Sequence, residues 1–105
     1  MPRSTLVELD LARQVRDLAR QFGWLHVHFR PAKTERGWRT PFSGDAGFPD
    51  MVLARRGRVV FVELKRDGRK PEPEQVRWLD HLGAGAAEAY VWTPSDFDRI
   101  VEVLR

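Results

Sequence analysis

The chain has 105 residues, enough for one domain with a single core, expected to span residues 1–105, and 42% apolar content with four Trp and six Phe suits a packed globule. It has no cysteine, which excludes a disulfide framework and a thiolate metal site; no run approaches the ~20 apolar residues of a membrane span, and no signal-peptide core opens the chain, so a soluble cytoplasmic protein without a membrane partner is expected. The net charge of +3 hides an asymmetry: residues 1–70 hold 15 of the 18 Lys and Arg against 8 of the 15 acids, which suits a polyanionic partner, while residues 71–105 are net acidic. Fifteen of the cations are Arg, the better residue for bidentate phosphate contacts, although GC-rich coding or heat adaptation accounts for that choice equally well.

In chain order, Ser4 or Thr5 can cap a helix with apolar positions at Leu6, Leu9, Val15, Leu18, Ala19 and Phe22, and Gly23 stops it. Residues 24–29 alternate as a strand. Residues 30–49 form a connection too long for a plain turn, and therefore functional or mobile. Residues 51–54 and 59–64 read as two strands around a turn at 55–58. A loop over 66–72 leads to a helix at 73–82, with Pro at its first turn and Gly83 beyond its end. A strand follows at 87–92. Thr93-Pro94 then opens a last helix with Phe97, Ile100, Val101 and Leu104 inward and Asp96 and Asp98 in its first turn. The order αβββαβα implies an α/β fold with a mixed sheet: three strands in an antiparallel meander, then a helical crossover to the fourth. Strand 59–64 is apolar on both faces, so it should be central, with a layer on each side.

Chemistry concentrates around that hairpin. If Arg56-Gly57 is a two-residue turn, Arg55 faces Arg58 and Asp50 lies opposite Glu63, with Cβ atoms about 5 Å apart. Lys65 then shares the face of Glu63. A three-residue loop with Gly57 in a bulge is the alternative, because Arg resists positive φ, and it would shift the pairing by one. In either register two carboxylates that close repel unless a cation lies between them. A buried strand that ends in charge is a local conflict, and such conflicts mark function.

Gly47-Phe48-Pro49-Asp50, then Glu63-Leu64-Lys65, then Pro73-Glu74-Gln75 on the following helix together resemble the virus-type replication-repair nuclease (VRR-NUC) family of the PD-(D/E)XK nuclease superfamily. The resemblance spans nearly the whole chain. It implies a restriction-endonuclease-like αβββαβ core with a C-terminal helix, and a metal-dependent endonuclease that hydrolyses DNA phosphodiesters. Asp50, Glu63 and the main-chain carbonyl of Leu64 would bind the metal; oxygen ligands select Mg²⁺, with Mn²⁺ as substitute. Lys65 would orient the attacking water or neutralise transition-state charge, and Gln75 would hold phosphate or water. Many relatives add an acid from the first helix, for which Glu8 is the choice and Asp10 the competitor. The implied substrate is branched DNA such as a four-way junction, and the implied assembly a homodimer.

Each assignment has a plainer rival. Gln75 could be a solvated first-turn residue, and Glu8 an ordinary solvated helix residue. His26 and His28 alternate on one strand face but lack a third soft ligand, so they read as strand residues. Asp45 reads as a loop-turn residue. Arg30, Lys33, Arg36 and Arg39, interleaved with Trp38 and Phe42, suit backbone contacts and base stacking, against a solvated loop with Trp38 folded onto the core or a second subunit. Arg66, Arg69 and Lys70 follow the catalytic strand and are phosphate-contact candidates. Two other functions fit the same scaffold: a catalytically silent nucleic-acid-binding subunit, and a nuclease of restriction or RNA-processing type.

Overall fold

The architecture follows from where apolar periodicity stops and starts in a computed structural model that describes residues 3–30 and 32–105, with side chains from residue 7 onward. Helix α1 (Arg3–Gln21) has already begun at Arg3, so Ser4 and Thr5 lie within its first turn rather than ahead of it. Their side chains, and that of Leu6, fall outside the described residues. Its buried stripe is Leu11, Ala12, Val15 and Ala19. Gly23 ends it with φ +78°, while the Trp24 N–H returns to the Ala19 carbonyl (2.8 Å) and the Gly23 N–H to that of Arg20 (3.3 Å). This is the paired-bond C-cap that a left-handed glycine permits.

Strand β1 (Leu25–His28) follows, and the 30–49 connection holds a short antiparallel hairpin, β2 (Ala32–Thr34) with β3 (Gly37–Arg39), so it is not structureless. Its turn rests on Thr34, whose Oγ1 donates to the Gly37 carbonyl (2.8 Å) and accepts from the Arg36 N–H (3.1 Å). The central hairpin is β4 (Met51–Arg55) and β5 (Arg58–Leu64), with Arg55 opposite Arg58. Arg56 (φ +49°) and Gly57 (φ +84°) form the two-residue turn. After α2 (Pro73–Leu82), β6 (Glu88–Trp92) pairs in parallel with β5. The main sheet runs β1-β4-β5-β6, a mixed sheet with β5 interior. A 3₁₀ turn at Pro94–Asp96 leads into α3 (Phe97–Leu104). There Ile100 and Leu104 are buried, but Phe97 points outward, contrary to its position in the apolar pattern.

One buried cluster joins α1 and α3 to one face of the sheet through Met51, Leu53, Val60, Val62, Leu64 and Trp92. The alternate residues of β5, Phe61 and Glu63, face α2, so the central strand does have a layer on each side. Among the described residues, no helix is long and apolar enough to cross a membrane.

The turn end of the sheet is tied down by cations. Arg55 donates to the Phe22 (2.9 Å) and Leu104 (3.0 Å) carbonyls, where two helices end, and its guanidinium lies 4.5 Å from the Trp24 ring. Arg58 flanks the same indole at 5.0 Å and makes a two-bond pair with Glu88 (2.8 and 2.7 Å). Arg55→Ala is expected to lower unfolding free energy by about 1–3 kcal/mol, since it strands the Phe22 carbonyl, while that of Leu104 keeps the Trp24 Nε1 donor (2.8 Å); an unchanged urea midpoint would show that the clamp contributes nothing.

Candidate active site

Three elements converge at the opposite end of the central hairpin. Continuing the β4–β5 register one residue beyond Met51↔Val62 puts Asp50 opposite Glu63. Asp50 is oriented by the Leu64 N–H, which donates to its Oδ2 (2.8 Å). Glu63 is only 2% exposed, and its Oε2 lies 3.6 Å from the Lys65 Nζ. Gln75 arrives from the first turn of α2. Its Oε1 accepts the Glu72 N–H (2.7 Å), which turns its Nε2 toward Glu63 Oε2 (2.9 Å). The other oxygen of Glu63, Oε1, is buried and has no hydrogen-bond partner.

Electrostatics follow from this crowding. Burial, then the neighbouring Asp50 carboxyl, push Glu63 up from an ordinary 4.5 to about 8, against the pull of Lys65. Burial also raises Asp50, although the Leu64 N–H opposes it. The two carboxyls crowd each other in a buried place, so the folded state keeps the Glu63 proton above the pH at which an exposed glutamate releases it. Because the folded state keeps this proton and the unfolded chain releases it near 4.5, the contribution of Glu63 to stability is full below pH 4.5 and declines as pH rises toward about 8. Relative to Glu63→Gln, the melting temperature of the metal-free wild type should decline as pH rises across that window; equal slopes in both proteins would contradict the assignment.

Glu8 is half-buried on α1 within the field of Lys65, Asp50, Arg69 and Arg66, and burial raises its pKa. Asp10 is solvent-exposed and pairs with Arg13 at 3.9 Å, so of the two helix acids only Glu8 faces the site. Arg66 and Arg69 lie close enough to act on Glu8, while Lys70 is exposed in the same loop. Arg39 lines a cleft beside Asp50, whereas Arg30, Lys33 and Arg36 are exposed outside that lining. His26 and His28 share the sheet face of Leu53 and Met51 and sit near Arg16, with Arg20 beside His26 and Arg30 beside His28. Burial, then those arginines, lower both imidazoles. Asp45 serves the loop through its carbonyl, which accepts from Trp78 Nε1 (3.3 Å). Among the described residues, no three His, Asp or Glu side chains stand within one ion's reach. A cation here would be held by Asp50 and Glu63 with main-chain oxygen, and the bare Glu63 Oε1 fits that use.

Sequence reasoning quoted Gly47 as motif but missed its physical role. Gly47 has φ +99°, and a Cβ there would sit 2.7 Å from the backbone carbon and oxygen of Glu74 in the first turn of α2. The bare glycine lets the Asp50 loop touch the helix that carries Gln75. Phe48 completes the junction, meeting Phe29, Phe61 and Trp78 edge-on with centroids 5.7, 5.9 and 5.0 Å away. Nothing in local sequence announced either contact, since both join segments far apart in the chain.

Neither a family model nor a curated protein sequence matches this chain. Among solved structures, a VRR_NUC domain superposes with a TM-score of 0.66 and 24% identity, covering 90% of this chain and 94% of that one. The mixed α/β core, its crossover and its C-terminal helix therefore give this chain the fold of a VRR_NUC domain.

Proposed function

We propose that the chain is a single nuclease domain of the VRR-NUC family, a metal-dependent endonuclease that hydrolyses DNA phosphodiesters. The observation that carries this reading is the partnerless Glu63 Oε1, buried beside a second carboxylate with Lys65 at the rim. A structural ion pair would leave no such oxygen, whereas a cation site needs one. Asp50, Glu63 and the Leu64 carbonyl would hold Mg²⁺, or Mn²⁺ in its place, with Glu8 in an outer position. When bound, that ion polarises a phosphate and lowers the pKa of an attacking water.

The chain's own groups do the rest. Gln75 fixes the Glu63 carboxylate by a hydrogen bond whose direction is set by Glu72, so the acid cannot rotate away. The Leu64 N–H does the same for Asp50. Lys65, 14% exposed, presents an ammonium in a poorly hydrated place where charge on the phosphoryl oxygens is little screened. Arg66, Arg69 and Lys70 extend positive charge along the loop after β5 for flanking phosphates, and Arg30, Lys33, Arg36 and Arg39 do so on the other side.

Branched DNA as substrate, a homodimer that would cut two strands at one junction, and an intracellular setting belong to the same proposal. A labelled four-way junction, a flap, a plain duplex and a matching RNA, each incubated with and without Mg²⁺, test it. Cleavage of the junction only with metal is expected. Binding to every substrate with no cleavage in any metal would favour the silent-subunit reading instead.

A further inference from the structure

Between the β2–β3 hairpin, the Asp50 loop and α2 lies a cleft of ≈ 720 Å³. Its lining includes the rings of Trp38, Phe42, Phe48 and Trp78 together with Asp50 and Gln75 of the candidate site. The volume falls in the range of small-molecule sites, about 300–1,000 Å³, which suits a nucleotide and is too small for a duplex. The four rings are not equivalent. Phe48 and Trp78 are committed to each other at 5.0 Å, and the Trp78 Nε1 is held by the Ala46 carbonyl at 3.1 Å, so they form a fixed back wall. Among the described residues, Trp38 and Phe42 make no ring–ring contact, and Phe42 is 65% exposed. The Phe42 ring is thus free to take a planar partner on its face.

We propose that this cleft takes one unpaired nucleobase of DNA, stacked against Trp38 and Phe42, from the nucleotide next to the phosphate at Asp50. The inference rests on the nuclease reading for the identity of the polymer. Continuity argues for the occupant: Asp50, assigned above to the metal, lines the cleft, so a DNA strand cut there has a neighbouring nucleotide within reach of it. Charge argues the same way, since Arg39 on the lining offers a cation to a neighbouring phosphate or to the base face. Base–aromatic stacking tolerates any sequence, so selection would act on pairing state. Extruding a nucleotide is easiest where it is already unpaired, as at a branch, flap or bulge. Preference for distorted DNA would then come from this cleft, not from base-edge contacts.

The test measures wild-type protein, Trp38→Ala and Phe42→Ala in EDTA, without cleavage. The probes are a duplex carrying one unpaired 2-aminopurine and the same duplex fully paired. The expected result is quenching of the unpaired 2-aminopurine on binding by the wild type. Each variant should lose that quenching and bind the unpaired probe roughly five- to a hundredfold more weakly, with affinity for the paired duplex changed less than twofold. Quenching retained in both variants, or equal weakening on both probes, would overturn the proposal. Quenching by a protein that cuts no DNA in any metal would sink the nuclease reading while leaving the cleft assignment standing. Failure to bind either probe would sink both.

Discussion

Asp50→Asn, Glu63→Gln and Lys65→Ala should each leave a folded protein whose Mg²⁺-dependent cleavage is lower by roughly 10²–10³-fold or more. Asp50→Ala should do the same without abolishing DNA binding, because the arginines proposed to contact phosphate lie elsewhere. The first two replacements keep the shapes and one accepting oxygen to meet Leu64 N–H and Gln75 Nε2, while they remove the charge and turn the other oxygen into an NH2 donor. In the metal-free protein those charges oppose each other under burial, as the elevated Glu63 and Asp50 pKa values indicate. The amide variants should therefore melt at or above the wild-type temperature at pH 8, even as they lose activity. That divergence separates a functional site from a structural one: groups retained for folding lower stability when removed. Single-turnover cleavage beside thermal melts of the same preparations would read both. Full activity in any of the three variants would remove the mechanism.

Gly47→Ala carries the second large effect, and it acts on fold and site together. At φ +99° any side chain is strained, at about 1–3 kcal/mol, and its Cβ would stand 2.7 Å from the Glu74 backbone. Relief requires the first turn of α2 to move, which costs about 1–3 kcal/mol more by disturbing the packing of its Trp78 on Phe48. Gln75 sits one residue beyond Glu74, so its 2.9 Å bond to Glu63 should fail with the same displacement. Denaturant unfolding should register a loss of about 2–6 kcal/mol, and whatever folded fraction remains should cleave poorly. Gln75→Ala removes the bond without the strain, so it should reduce activity with only a small change in unfolding midpoint. A Gly47→Ala protein as stable and active as the wild type would mean that the close approach is not needed.

How much of this was legible in the sequence depends on the range of the forces involved. The apolar runs at 51–54 and 59–64 located the central hairpin, and the pairing of Asp50 with Glu63 followed from counting back from Arg56-Gly57. The choice between a two-residue turn and a bulged loop was not legible, because local preference disfavours Arg at positive φ. The two-residue turn prevails through tertiary contacts: Arg55 and Arg58 are anchored on helix-end carbonyls, Glu88 and the Trp24 ring, which hold Arg56 at φ +49°. Gly23, Pro73 and Gly83 punctuate the helices as their chemistry dictates. The β2–β3 hairpin went unseen because its strands are three residues long and, apart from the half-buried Trp38, exposed, so too few positions mark a period. Phe97 read as inward from spacing alone, yet the 3₁₀ turn before it rotates the start of α3 outward. Glu8 and Asp10 could not be separated until the helix was docked; the partnerless oxygen of Glu63 and the contact of Gly47 with Glu74 exist only in three dimensions.

The reading as a whole requires that Asp50 and Glu63 bind one hard divalent ion. Calorimetric titration of Mn²⁺ and Mg²⁺ into the DNA-free protein at pH 7, repeated in two buffers of different ionisation heat, measures this without recourse to activity. One ion per chain should bind, releasing close to one proton because Glu63 starts protonated with a pKa near 8. Both the heat and the proton release should vanish in Glu63→Gln and Asp50→Asn. Absence of binding in the wild type, or binding that both amide variants retain, would contradict the account.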